Sequence, residues 1–124
     1  MSGTFAQLRN AWAIRGHPDA TPRAIADFRD RQLRLLAEHA YRNVPYYRRL
    51  YDEHGVRPGS IRGAADMPLL PPVTKTHFRA APEEERVAAG LRPEQLIPAA
   101  SSGSSGRPFM IRRSWLEQNV LHLL

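Results

Sequence analysis

The chain has 124 residues, of which 42% are hydrophobic and 24% are charged. These values are ordinary for a globular protein, so they exclude a fully disordered chain, and the length allows one domain at most. The absence of cysteine excludes a disulfide framework, a thiolate zinc site and a cysteine nucleophile.

The formal net charge is +6, and Lys75 is the one lysine among the 18 basic residues. A basic balance favours anionic partners such as nucleotides or nucleic acids, although a coding bias toward arginine is the simpler explanation. The five histidines are not spaced as a helical metal pair, so no metal site is predicted. Without a secretory leader or an apolar run near 18 residues, we expect a cytoplasmic protein with no membrane partner.

Residues 1–20 are weakly patterned, and the first strong signal is Thr21 followed by Pro22, a helix cap and a first helical residue. Apolar residues at helical spacing predict a helix from there to Asn43. Arg29 falls within the apolar face, where its charge must pair or reach solvent. The residues predicted to form the core-facing side are Ile25, Phe28, Leu33, Leu35, Leu36 and Ala40.

A second helix is predicted over 46–54. Pro45 ends the first helix, because the residue before a proline avoids the helical conformation, and Gly55 closes the second helix. Tyr47 and Tyr51 lie one turn apart beside several arginines. Such a face could stack on nucleic-acid bases, whereas the simpler interpretation packs the tyrosines between two helices with their hydroxyls at the rim.

The middle of the chain is rich in proline and glycine. We expect irregular structure over 56–73, followed by a short helix, Lys75–Ala80, that Thr74 caps. The acidic cluster Glu83–Glu85 is predicted to be the solvated start of a helix.

Residues 96–100 and 109–111 are predicted strands, and Pro98 places the first of them at a sheet edge. Ser114 followed by Glu117 predicts a capping box and a helix that runs apolar to Leu124. The chain ends while the apolar pattern of this helix still continues, so we expect that it is shortened. Apolar surface would then be exposed, and we expect aggregation or partial disorder in solution.

The segment between the two strands carries four hydroxyls, two glycines and one guanidinium. Glycines let the backbone present consecutive N–H groups to an anion, and hydroxyls and an arginine can donate to phosphate oxygens. A flexible Ser/Gly linker explains the composition as well, and the spacing is not that of a Walker A loop. The candidate phosphate-binding residues are Ser101, Ser102, Gly103, Ser104, Ser105, Gly106 and Arg107.

Residues 101–108 resemble the phosphate-binding loop of adenylate-forming enzymes. Residues 39–48 and 70–75 are similar to upstream segments of the phenylacetate–coenzyme A ligases and their capsule-biosynthesis relatives. Arg107 stands where lysine is frequent in the family, so the charge is kept with another geometry. The pair Phe109 and Met110 replaces the Lys-Gly of many acyl-CoA synthetases, which favours the phenylacetate-ligase branch.

The resemblance implies an enzyme that joins a carboxylic acid, such as the aryl acid phenylacetate, to coenzyme A. ATP and Mg²⁺ serve the first step, in which an acyl-adenylate and pyrophosphate form, and coenzyme A takes the acyl group in the second. The loop would hold the β- and γ-phosphates. Family members are several times longer, and their Mg²⁺ ligand and catalytic lysine would lie beyond Leu124. No catalytic residue is identifiable, and we expect the chain alone to be inactive.

The sequence thus predicts an incomplete α/β fold. Residues 1–95 form a mainly helical segment, residues 96–124 begin an ATP-binding α/β core, and the remainder of the enzyme is absent. The alternative is a small basic module that binds nucleic acid or an acidic partner, with a Ser/Gly linker. A linker has no reason to end in Gly-Arg-Pro before a strand and a capped helix, so we favour the ligase and expect no nucleic-acid partner.

Overall fold

The structure is a computed structural model, and it describes residues 21–101, 108–115, 117 and 118. Most of the regular structure in these residues is helical. Short 3-10 turns connect the longer elements, and the two strands form a small sheet. The regular elements in chain order are α1 (Pro22–Asn43), α2 (Pro45–Glu53), α3 (Lys75–Ala80), β1 (Ile97–Ala100) and β2 (Met110–Arg113).

Helix α1 begins and ends where local sequence signals predict. The Thr21 side chain accepts a hydrogen bond from the backbone N–H of Ala24, at 3.2 Å, and so satisfies one of the free donors of the first turn. At the other end, Val44 is extended, as a residue before a proline prefers. The predicted helix from residue 22 to Asn43 is therefore confirmed.

Helix α2 follows after a single extended residue. The predicted range 46–54 is confirmed within one residue at each end, since the helix spans Pro45–Glu53. Gly55 then takes a positive φ of 65°, a conformation that glycine adopts without the steric penalty of a side chain. The 3-10 turn that follows, Pro58–Ser60, contacts α1.

The tyrosines of this region pack between α1 and α2. Tyr46 and Tyr51 are buried, and the Tyr41 hydroxyl donates to the Asp52 carboxylate at 2.9 Å. The rings of Tyr41 and Tyr51 stack with centroids 6.2 Å apart. The packing interpretation is confirmed, and these rings contribute to the core instead of offering a face to nucleic-acid bases.

The core lies where α1, α2 and the following turns meet, with Ile61 completely buried at its centre. Its buried members are Ala37, Tyr51, Val56 and Ile61, and the partly buried side chains packed against them are Leu33, Tyr41, Tyr47 and Leu70. The core therefore joins residues from both helices to the irregular segment that follows them.

The predicted core-facing side of α1 is wrong at three positions. Ile25, Leu35 and Leu36 are 56%, 48% and 63% exposed. Among the described residues, α2 and the turns after it contact one side of α1. The spacing of apolar residues along a helix does not indicate which side its neighbours will cover. Arg29 forms the expected ion pair, 3.0 Å from Asp30.

A polar contact fixes the turn Ala64–Leu69 against α1. The Asp30 carboxylate accepts a hydrogen bond from the backbone N–H of Ala64 at 3.1 Å. Gly63 lies so close that a Cβ at this position would be 2.6 Å from Asp30 Cγ. The segment predicted to be irregular thus contains two 3-10 turns, and one of them is held against the helix by Asp30.

Helix α3 is confirmed as Lys75–Ala80, with the Thr74 side chain accepting from the backbone N–H of His77 at 3.1 Å. The predicted helix start at Glu83–Glu85 is wrong, because these residues form a 3-10 turn. Glu83 pairs with Arg112 of β2 at 2.6 Å, and Glu85 pairs with Arg49 of α2. Two of the three carboxylates are therefore paired with arginines that are distant in the sequence.

Strands β1 and β2 pair antiparallel, with Ile97 opposite Arg113 and Ala100 opposite Met110. The two predicted strands are confirmed in their order, although β2 begins one residue later than expected and runs to Arg113. Residues 102–107, between the strands, lie outside the described residues. With a mainly helical remainder, this small sheet is consistent with a piece of an α/β fold.

The capping box after β2 is confirmed. The backbone N–H of Ser114 donates to the Glu117 carboxylate at 2.7 Å, and the N–H of Glu117 donates to the Ser114 hydroxyl at 3.2 Å. The rest of the predicted terminal helix, residues 119–124, and the lead-in 1–20 lie outside the described residues. Within the described ranges, the helices are too short or too polar to cross a membrane.

Candidate functional site

The two ends of the predicted phosphate loop meet at the base of the hairpin. The backbone N–H of Ser101 donates to the Phe109 carbonyl at 3.0 Å, and the N–H of Phe109 donates to the Ser101 hydroxyl at 3.0 Å. Residues 101 and 109 directly follow β1 and precede β2, so the pairing of the strands extends to the ends of the loop. We call this pair the loop neck.

Ser101 is the one predicted phosphate-binding residue within the described part of the chain. Its hydroxyl oxygen accepts from Phe109, and a hydroxyl that accepts one hydrogen bond still has its own proton to donate. Ser101 is exposed, so a ligand could reach it. The phosphate-binding assignment stays a prediction for the positions outside the described residues, which are Ser102, Gly103, Ser104, Ser105, Gly106 and Arg107.

Helix α3 brings two cations to the exit of the loop. The Arg79 guanidinium donates to the Pro108 carbonyl at 3.0 Å and lies 5.6 Å from the centre of the Phe109 ring. The Lys75 ammonium lies 5.9 Å from the same ring. Two positive charges beside Pro108 and Phe109, where the loop ends, create a field that favours an anion.

Aromatic rings connect this exit to the helical part of the chain. Phe78 of α3 lies 5.8 Å from Phe109 and 5.1 Å from Tyr46, measured between ring centres. Edge-to-face and tilted ring pairs at such distances contribute about 0.5–1.5 kcal/mol beyond the buried area. The start of β2 is thereby attached to both α2 and α3.

A charged pair holds the far end of β2. Arg112 donates to Glu83 at 2.6 Å, which lowers the pKa of the Glu83 carboxyl, and the same hydrogen bond raises the pKa of Arg112. Both side chains are partly exposed, so the pair contributes little to stability, and its main effect is to orient the hairpin. Ring contacts at one end and this pair at the other fix the hairpin against the helical part.

Sequence reasoning missed Arg79 and Phe78 as neighbours of the loop. Nothing in their local pattern marks them, because each lies more than twenty residues before the loop and on a helix of six residues. The alignment of α3 with the hairpin depends on packing between distant segments, which one sequence without relatives does not display.

The arrangement does not favour the alternative of a nucleic-acid-binding face. Tyr46 and Tyr51 are in the core, and Arg48 donates to the backbone carbonyls of Tyr41 and Arg42. Aromatic stacking on bases needs exposed rings. The predicted Tyr-Arg face is therefore engaged within the protein.

The described residues offer no cluster for a divalent cation. Across 21–101, 108–115, 117 and 118, no three side chains of histidine, aspartate or glutamate converge on one point. Mg²⁺ prefers oxygen ligands from carboxylates and phosphates. The Mg²⁺ that the family resemblance implies does not fit a ligand set in this part of the chain.

Three curated phenylacetate–coenzyme A ligases are similar to the chain. The protein of Thermus thermophilus is 37% identical over 86 residues, that of Escherichia coli 36% over 81 residues, and that of Aromatoleum evansii 31% over 82 residues. No protein-family model matches the chain.

These similarities cover 66%, 64% and 64% of the chain but 18% of each relative. The chain thus spans less than a fifth of the length of the curated relatives that it matches. The resemblance to phenylacetate–coenzyme A ligases that the sequence motifs carry is confirmed at this level.

Proposed function

We propose, from its kinship to phenylacetate–coenzyme A ligases, that the chain is the amino-terminal portion of an ATP-dependent carboxylate–coenzyme A ligase. Residues 1–95 form the helical segment of that enzyme, and residues 96–124 begin its ATP-binding core. The observation that carries the proposal is the hairpin, whose neck at Ser101 and Phe109 encloses a Ser/Gly segment of the family's pattern.

The proposed reaction has two steps. A carboxylate oxygen attacks the α-phosphorus of ATP, the bond from that phosphorus to the bridging oxygen breaks, and pyrophosphate leaves with the bond's electron pair. The coenzyme A thiolate then attacks the acyl carbonyl, and AMP leaves as the thioester forms. The relatives' names support phenylacetate as the acid.

The loop contributes by binding the β- and γ-phosphates. Backbone N–H groups freed by Gly103 and Gly106, together with serine hydroxyls, donate to phosphate oxygens. Arg107 supplies a planar charge that pairs with two oxygens at once. Charge accumulates on pyrophosphate as it departs, so donors already in place lower the barrier without moving a proton.

Mg²⁺ would neutralise the charge of the phosphates when bound. Among the described residues, no group of side chains is proposed to hold it. The role of these residues is to hold the loop and to bring Lys75 and Arg79 beside it. Catalytic groups are expected in parts of the enzyme that the relatives have and this chain does not cover.

The proposal is tested by acid-dependent exchange of labelled pyrophosphate into ATP, with the protein at the full length that its gene encodes. The double variant Ser102→Ala/Arg107→Ala should reduce exchange about a hundredfold, since loss of one such donor alone costs ~10²-fold or more. The matched control is Ser60→Ala/Arg57→Ala, a serine and an arginine in an exposed turn away from the loop. Undiminished exchange in the loop variant would remove the assignment.

A further inference from the structure

We propose that Arg79 is a positioning residue for the phosphate loop. This inference rests on the proposed function. It states that Arg79, on helix α3, orients the peptide unit between Pro108 and Phe109, at the end of the loop. Arg79 does so through the Pro108 carbonyl and the Phe109 ring, not through the phosphates.

The peptide unit between Pro108 and Phe109 is held on both sides. Its carbonyl oxygen accepts from the Arg79 guanidinium at 3.0 Å, and its N–H donates to the Ser101 hydroxyl at 3.0 Å. A peptide unit is planar, so hydrogen bonds at both its oxygen and its nitrogen fix the orientation of the whole plane. This plane lies one residue after Arg107, and its orientation sets the direction in which the chain enters β2.

Arg79 is itself held against the Phe109 ring. Its guanidinium lies 5.6 Å from the centre of the Phe109 ring, and that ring also packs against Phe78, the preceding residue of α3. Two consecutive residues of one short helix therefore contact the same ring. The planar guanidinium can stack on an aromatic face while donating in its own plane, which the compact ammonium of a lysine cannot do.

The constraint would act on the loop through this peptide. A binding group that is held in place before its ligand arrives loses less entropy on binding. Without Arg79, the Pro108–Phe109 peptide keeps one of these two hydrogen bonds, the one to Ser101, so its orientation can vary. The affinity for ATP should then fall, whereas binding of the carboxylic acid should be unchanged.

The test uses Arg79→Lys and Arg79→Ala in the full-length protein, with the pyrophosphate exchange assay. We expect the KM for ATP to rise about tenfold in both variants while the KM for the acid stays within twofold of wild type. Added guanidinium ion should partly restore the KM of Arg79→Ala, since it can occupy the vacated place. Arg57→Ala, which removes an equally charged exposed side chain, is the matched control.

The outcomes separate this inference from the proposed function. If Arg107→Ala lowers exchange but both Arg79 variants keep the wild-type KM for ATP, the inference is overturned and the proposed function stands. If Arg79→Lys alone keeps the wild-type KM, charge rather than geometry is what matters, and the inference is again overturned. If neither Arg107→Ala nor the Arg79 variants change exchange, the proposed function is overturned, and the inference that rests on it is overturned as well. Should Arg79→Ala fail to fold, the conservative Arg79→Lys decides.

Discussion

Ser101 and Phe109 exchange two hydrogen bonds across the neck of the hairpin, each 3.0 Å long. One is a backbone bond that continues the antiparallel ladder, and the other uses the serine hydroxyl as the acceptor. A side chain thus supplies the second bond at the point where the strands end, so the ends of the loop are fixed by Ser101 as well as by the backbone.

Ser101→Ala should open the neck, because the Phe109 N–H loses its acceptor. We expect a loss of about 1 kcal/mol in the free energy of unfolding, the usual net value of one hydrogen bond. Urea denaturation followed by circular dichroism measures it. Ser101→Thr keeps the hydroxyl and should lose less, and equal losses in the two variants would show that the hydroxyl does not serve the neck.

Asp30→Asn should make stability less dependent on pH. The Ala64 N–H, and then Arg29, lower the pKa of the Asp30 carboxyl below its ordinary value of 3.8. A carboxyl whose pKa is lower in the folded state adds stability above its unfolded pKa, and this is lost as the pH falls through the folded pKa. The difference between wild type and Asp30→Asn should therefore be full at about pH 6 and shrink as the pH is lowered toward about 2.

Denaturation midpoints across this range measure the effect of Asp30. Asp27→Asn, which changes an exposed carboxylate of the same helix, is the matched control. A difference for Asp30→Asn that is constant between the two pH limits would contradict the contact with Ala64.

Gly63→Ala should destabilise the turn against α1. The added Cβ would lie 2.6 Å from Asp30 Cγ and 3.0 Å from Asp30 Cβ, so the helix side chain cannot simply rotate away. Overpacking of this kind costs about 1–3 kcal/mol. Gly59→Ala meets no atom within 4 Å and serves as the control. Equal thermal midpoints for the two variants would refute the close approach.

Ile61→Ala and Leu36→Ala should differ strongly. Ile61 is fully buried, and truncating such a side chain costs about 2–5 kcal/mol. Leu36 is 63% exposed, and alanine is a good helix former, so its loss should cost less than about 0.5 kcal/mol. Chemical denaturation measures both. A large loss at Leu36 would mean that another part of the protein covers this side of α1.

Local signals in the sequence predict most of the elements. A capping residue such as Thr74 acts within its own turn, and Pro45 restricts its immediate neighbour, so both positions are readable without the fold. The exposure of Leu36 was not predictable, because periodicity groups residues on one side of a helix without saying what covers that side.

The sequence marks the Ser/Gly segment as a candidate site, and that assignment stays a prediction, whereas the surroundings of the segment were not predictable. The Ser/Gly segment has a family pattern, whereas Arg79 reaches Pro108 and Arg112 reaches Glu83 across 29 residues in each case. Such contacts follow from how α3 and the turn after it pack against the hairpin. These contacts depend on how whole segments are placed relative to one another, and no local pattern in a single sequence indicates that placement.

The proposal that the chain is part of an enzyme that activates a carboxylic acid with ATP is tested most directly by exchange of labelled pyrophosphate into ATP. The full-length wild-type protein is measured with and without phenylacetate and other aryl acids. We expect label in ATP only when an acid is present. Absence of exchange with every acid, from a folded protein that contains residues 101–107, would contradict it.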